Sequence, residues 1–169
     1  MVIEISEVAS PIGKIVVAVR AGRLCALAFD DSWPRKRAAL ERRFGDVEWR
    51  RAKDPGGVAR ALRRYFDGDI DALARIDVDP GGTPFQRAVW TRLRNVPAGR
   101  TVSYGELARA AGYPRAVRAV GAANGSNPVG LVIPCHRVIG SSGKLVGYGG
   151  GLHRKRWLLS HEGSGAPAP

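Results

Sequence analysis

The chain reads as an α+β protein in two parts: a small N-terminal antiparallel sheet with helices, then a C-terminal domain built on a helix-turn-helix pattern. Three observations carry this. Short apolar segments rich in Val, Ile and Leu, separated by turn residues, crowd the first third of the chain. From Trp33 onward apolar residues recur at spacings of three and four. Asp79-Pro80-Gly81-Gly82 concentrates turn formers where the charge balance changes, which sets a boundary between domains 1–79 and 80–169.

Val2 to Val8, Lys14 to Arg20 and Leu24 to Phe29 read as strands, divided by Ser10-Pro11-Ile12-Gly13 and Ala21-Gly22, and so as an antiparallel meander. Helical spacing follows over Trp33–Phe44 and Val58–Phe66, and Ile70–Val78 reads as a further strand or an extended connection. Thr83-Pro84-Phe85-Gln86 is a helix start, with Thr83 as N-cap, Pro84 in the first turn and Gln86 closing a capping box; the helix runs to about Arg94. Ser103 and Glu106 repeat that arrangement and open a helix from Tyr104 to Ala111, which Gly112 ends in a left-handed conformation. A second helix begins at Pro114 and reaches about Ala123. In a helix-turn-helix this second helix enters a DNA groove, and here it carries Arg115 and Arg118 among Ala116, Ala119, Gly121, Ala122 and Ala123. An ordinary helical hairpin with alanines in its core has the same pattern.

With 169 residues and 44% hydrophobic content the chain builds cores and does not stay disordered. No apolar run approaches the ~18–20 residues that span a bilayer. Met1-Val2-Ile3-Glu4-Ile5 carries an early acid where a leader has basic residues, so neither membrane insertion nor secretion is expected and the cytoplasm is the expected compartment. Cys25 and Cys135 form neither a disulfide framework nor a paired CxxC metal site, which fits a reducing setting; a bridge between them needs a geometry that sequence does not show. The net charge of +12 is unevenly spread. Residues 1–79 carry 15 Lys and Arg against 13 Asp and Glu, whereas residues 80–169 carry 12 against 2. Such a field draws polyanions, nucleic acid above all, although it serves an anionic membrane surface too.

Pro134-Cys135-His136-Arg137-Val138 follows the apolar run Leu131-Val132-Ile133. Taken alone, a cysteine ending an apolar strand is most often an inert, buried small hydrophobe. An adjacent imidazole and guanidinium would instead favour the thiolate, a strong nucleophile. Both readings stand at this point.

Ser103-Tyr104-Gly105, Asn124-Gly125-Ser126-Asn127-Pro128, Val129 through Ile139, Tyr148 through Leu152, and Trp157 through Glu162 occur in this order over residues 83–162. In them the chain resembles the O6-alkylguanine-DNA alkyltransferases. The resemblance implies direct-reversal DNA repair, in which an alkyl group passes irreversibly, once per molecule, from O6 of guanine in duplex DNA to Cys135, with O4-alkylthymine left open as a second substrate. It implies that His136 activates the thiol through a water and is oriented by Glu162, and that Asn127 braces the turn and the active-site strand. The base must leave the stack, so Arg118 would fill its place while Tyr104 contacts the guanine ring and turns its phosphate, with Arg115 beside them. Tyr148 would wall the alkyl pocket and backbone near Cys135 and Val138 would read the guanine edge. Gly149 stands where some members carry a serine that bonds O6, which leaves room for bulkier alkyl groups. The implied folds are a ribonuclease-H-like N-terminal domain in a supporting role and a C-terminal winged-helix domain. Cys25 lacks the partners of a metal site, so neither metal nor cofactor is expected; the protein is expected to be a monomer, with cooperative binding along DNA left open, and 163–169 a disordered tail. A non-repairing relative would lack the acceptor cysteine. A winged-helix regulator with a structural or redox-sensing Cys135 and a thiol hydrolase remain as rivals, both weakened by the Asn127 to Glu162 constellation.

Overall fold

The computed structural model describes residues 1–164, which divide into two compact units. One comprises Met1–Pro80 with Pro128–Gly130, the other Gly81–Asn127 with the chain from Leu131.

The first unit is a four-stranded sheet in the order β3-β2-β1-β4. Strands β1 (Val2–Val8), β2 (Ile15–Arg20) and β3 (Arg23–Phe29) form the expected antiparallel meander. The addition is β4 (Glu48–Arg51), which pairs parallel to β1 and was silent in the sequence, since Glu48-Trp49-Arg50-Arg51 has a single apolar residue. As an edge strand it can afford charge. In β2 five consecutive residues are buried, as a strand covered on both faces requires. On one face Ile3, Ala18, Cys25 and Ala26 pack with Leu40 of helix α1 (Trp33–Phe44), flanked by Trp33, Phe44 and Trp49. Helix α2 (Val58–Phe66) packs against β1 and buries Val58, Ala59, Ala61, Leu62 and Tyr65. The segment expected as strand or extended connection after Ile70 is a series of turns ending in one bridge, Val78 to Leu24.

In the second unit, helix α3 (Pro84–Arg94) starts with both halves of its capping box formed: Gln86 N–H donates to Thr83 Oγ1 at 3.1 Å and Thr83 N–H to Gln86 Oε1 at 2.9 Å. Ser103 caps helix α4 (Tyr104–Ala110), accepting from Glu106 N–H at 3.1 Å, and Gly112 follows at φ 87°. Helix α5 (Val117–Gly125) differs from expectation at its start. Tyr113 to Ala116 form a turn closed by Ala116 N–H on Tyr113 O, so Pro114 and Arg115 precede the helix. Proline suits the second position of that turn as well as it suits a helix start. The three helices pack on one another around Val89, Trp90, Leu93, Leu107, Val120 and Ala123, and Trp90 Nε1 donates to Ala123 O at 2.8 Å. Two short parallel strands, β5 (Val102–Ser103) and β6 (Val138–Ile139), and helix α6 (Leu152–His161) complete the unit. Gly163 and Ser164 close α6 through bonds to Ser160 O and Leu159 O; the rest of the expected disordered tail lies outside the described residues. No described helix is long and apolar enough to cross a membrane.

Gly82 tests the junction into α3. It sits at φ 83°, and a Cβ there would stand 2.5 Å from Trp90 Cζ3. Left-handed strain and displacement of a buried indole act together, so Gly82→Ala is expected to cost about 2–3 kcal/mol and lower Tm by roughly 5–10 °C. Calorimetry checks this, and an unchanged Tm would refute it.

Candidate active site

Cys135 does not end a strand. Leu131, Val132 and Ile133 are buried in turns, with Leu131 at φ 68°, a conformation that costs a non-glycine residue about 1–2 kcal/mol. Pro134 then leads into a single 3-10 turn, Cys135–Arg137, closed by Arg137 N–H on Pro134 O at 3.0 Å. Three residues per turn send the side chains of Cys135, His136 and Arg137 in three directions. Asn127, buried inside the protein, fixes the start of this turn by donating from Nδ2 to Ile133 O at 2.7 Å.

Cys135 is half-buried and opens on a cavity of about 170 Å³ lined by Tyr104, Gly121, Asn124, Gly125, Gly147 and Tyr148. Tyr104 enters from the first turn of α4, beside Gly121 of α5, where a Cβ would lie 3.6 Å from the ring. The hydroxyls of Tyr104 and Tyr148 both titrate above the ordinary tyrosine value, because burial and the neighbouring Cys135 disfavour the phenolate. Both are therefore hydrogen-bond donors at neutral pH.

Behind the cysteine is a buried ionic group. His136 Nε2 lies 2.9 Å from Glu162 Oε2, both side chains wholly enclosed. Arg137 grips the same carboxylate with Nε on Oε1 and Nη2 on Oε2, each at 2.9 Å, and its Nη1 donates to Val96 O at 2.7 Å. Burial alone would raise Glu162, but the bonds from His136 and Arg137 outweigh it and hold the carboxyl well below its ordinary range. Burial lowers His136 below 6.5 against the opposing pull of Glu162, so the imidazole is neutral at pH 7. The carboxylate fixes the ring proton on Nε2, and buried Nδ1 has no hydrogen-bond partner among the described residues. Such a ring is a base with its lone pair available.

The structure thus gathers Cys135, Tyr104 and Tyr148 at the cavity, pairs His136 with Glu162 and places Asn127 beneath. Val138 is buried in β6, and Gly149 is next to Tyr148 with open space where a Cβ would stand; neither lines the cavity. Arg115 and Arg118 are exposed, Arg115 on the turn and Arg118 on α5. One residue went unread and another was misplaced. Asn124 is buried, lines the cavity and donates from Nδ2 toward Cys135 O at 3.5 Å. Arg137, expected to act on the thiol, is instead committed to Glu162. Nothing local betrays that partnership, since 25 residues separate the two.

Residues 84–164 match the family model of the 6-O-methylguanine DNA methyltransferase DNA-binding domain. The chain is 44% identical over 160 residues to the methylated-DNA–protein-cysteine methyltransferase of Shigella flexneri, spanning 93% of this chain and 94% of that protein. It is equally similar, 44% over 162 residues, to the protein of that name from Mycobacterium tuberculosis, spanning 94% of this chain and 92% of that protein. Its fold is similar to the crystal structure of Mycobacterium tuberculosis O6-methylguanine methyltransferase, with a TM-score of 0.79 and 40% identity over 99% of this chain and 96% of that one. The structure of the Mycobacterium tuberculosis protein in complex with DNA gives 0.78 and 39% at the same coverage. On this agreement over nearly its whole length, the chain belongs to the methylated-DNA–protein-cysteine methyltransferase family of DNA-repair proteins.

Proposed function

We propose that Cys135 is the acceptor in this family's reaction, taking the alkyl group from O6 of a guanine swung out of duplex DNA. One observation carries the assignment: the cysteine on the cavity adjoins a neutral, buried imidazole locked to a carboxylate. His136 Nδ1 takes the thiol proton through a bridging water. The sulfur then attacks the alkyl carbon, an S–C bond forms, and the C–O6 bond breaks with its electron pair passing to guanine. The neutral hydroxyl of Tyr104 stands at the cavity to donate to the departing ring. A thioether has no leaving group to return, which makes the event single-turnover.

Extrusion of the base costs a few kcal/mol. Helix α5 offers duplex DNA an exposed face of Arg118, Ala119, Ala122 and Gly125, small enough for close approach. Arg118 fills the vacated place in the stack and Arg115 supports it from the preceding turn. Asn127 and Asn124 hold the backbone on either side of Cys135, whose carbonyl, with Val138, reads the guanine edge. Tyr148 walls the alkyl end, with Gly149 beside it. Of the two domains read from the sequence, residues 80–169 carry the acceptor and DNA-binding functions and residues 1–79 have an accessory role. The protein acts as a monomer on DNA, away from membranes and in the cytoplasm, a setting that fits two cysteines without a disulfide.

Incubation with duplex DNA containing O6-methylguanine, followed by digestion and mass spectrometry, is expected to find one methyl group on the peptide holding Cys135. An unmodified peptide would overturn the assignment. Separately, Arg118→Ala is expected to slow repair of duplex about tenfold or more while leaving the reaction with free O6-benzylguanine within about twofold, because only duplex needs extrusion. Equal slowing of both would remove Arg118 from that role.

A further inference from the structure

The loop that carries Tyr148 to the cavity is Gly147-Tyr148-Gly149-Gly150-Gly151. Four glycines in five residues give it little conformational preference of its own, and ordering such a backbone is entropically costly. Something outside the loop must hold it. Helix α6 supplies two consecutive cations that turn inward. Lys155 is fully buried, and its Nζ donates to Val146 O at 2.7 Å and Gly147 O at 3.3 Å. Arg154, also buried, donates from Nη1 to Gly150 O at 3.1 Å. Tyr148 thus lies between carbonyls gripped on both sides. Lys155, Leu158 and Leu159 fall at helical spacing along the buried face of α6, and Glu162 continues that spacing at its C-cap, so the helix that leads to the carboxylate on His136 also presents this ammonium to the loop.

We propose that Lys155 is a positioning residue that latches the 146–148 loop over the alkyl cavity and so sets the affinity for the extruded base. The latch rests on the assignment of Cys135 as acceptor and adds a second task for α6. Lysine fits it because the ammonium offers three donors from a compact centre and reaches two successive carbonyls. Burial of the ammonium lowers Lys155 to about 8, against an opposing effect of Cys135, so the group is still mostly charged at neutral pH.

The two roles separate in saturation kinetics with free O6-benzylguanine, which divide binding from the chemical step. In Lys155→Met, nearly isosteric but without donors, the half-saturating concentration is expected to rise about tenfold while the limiting rate changes less than about threefold, and amide exchange of residues 146–149 to quicken about tenfold. Lys155→Arg is expected to restore most of both. Unchanged half-saturation with unchanged loop exchange would overturn the latch. So would a fall in limiting rate alone, which would make Lys155 a charge partner of the sulfur. Wild type that leaves Cys135 unmodified by duplex DNA containing O6-methylguanine would instead refute Cys135 as acceptor. If the methionine variant does not fold, ¹⁵N spectra of the wild type decide: the Lys155 Nζ resonance is expected to resist solvent exchange more than those of Lys14, Lys36, Lys53 and Lys144 and to titrate below the ordinary lysine value of 10.5. An Nζ exchanging as freely as those four would overturn the latch.

Discussion

A Cys135→Ser chain is expected to bind duplex DNA containing O6-methylguanine and leave the methyl group where it is, with the transfer rate down by at least about a thousandfold. A serine hydroxyl fills nearly the same space but does not ionise near neutral pH, and neutral oxygen is a poor nucleophile toward a saturated carbon. His136 and Glu162 remain in place, so the variant isolates the sulfur from its surroundings. The elements proposed to hold DNA lie on α5 and the turn before it, and they do not depend on the thiol. A gel-shift titration should therefore give unchanged affinity beside a complete loss of methyl transfer. Any methyl group acquired by the serine variant would show that another residue accepts it. The buried Cys25, held to Ala18 O at 3.2 Å and pushed up to about 11 chiefly by burial, is not such a residue, and Cys25→Ser should leave transfer intact.

Glu162→Ala is expected to damage both folding and chemistry. The carboxylate accepts from His136 once and from Arg137 twice in an enclosed site, so its removal strands a buried guanidinium. Loss of one partner from such a group costs about 3–5 kcal/mol, which urea denaturation would register as a lower midpoint. The imidazole also loses the acceptor that fixes its proton on Nε2, and alkyl transfer should fall by about a hundredfold or more. Glu162→Gln keeps the shape and one acceptor, and is expected to recover part of the stability and little of the rate. Acid should mimic the deletion. An unfolded chain protonates this carboxyl near its ordinary value of 4.5, whereas the folded chain resists to much lower pH, so the stability it contributes is present above 4.5 and lost as pH falls below it. His136 acts in the same sense: the unfolded ring gains a proton below 6.5 while the buried ring stays neutral until lower pH. Stability that stayed flat between pH 7 and pH 3.5 in wild type, with the same slope in Glu162→Ala, would refute this account.

Legibility in the sequence followed the range of the interaction. The capping box at Thr83 and Gln86 formed as its four-residue spacing implied, because both of its hydrogen bonds close within one turn. Strands β1 to β3 and helices α1 and α2 emerged from side-chain periodicity, which reports burial directly. Strand β4 did not, since an edge strand in parallel register draws its order from β1, some 46 residues away in the chain. Pro114 misled for a local reason: it serves a turn as readily as a helix, and the packing of α5 chose between them.

The amino-acid order by itself determined the charge asymmetry and the ordered motifs whose family resemblance singled out Cys135, His136 and Glu162, because charge and motif are set by residue type and spacing along one covalent chain. Tertiary structure alone decided what each group touches. Arg137 turned out to belong to Glu162, Lys155 to a glycine-rich loop, and Asn124 to the cavity wall. Each of these couplings joins backbone or side-chain atoms brought together by packing, and burial is what makes them matter: the same ammonium or guanidinium in water would find solvent an equal partner.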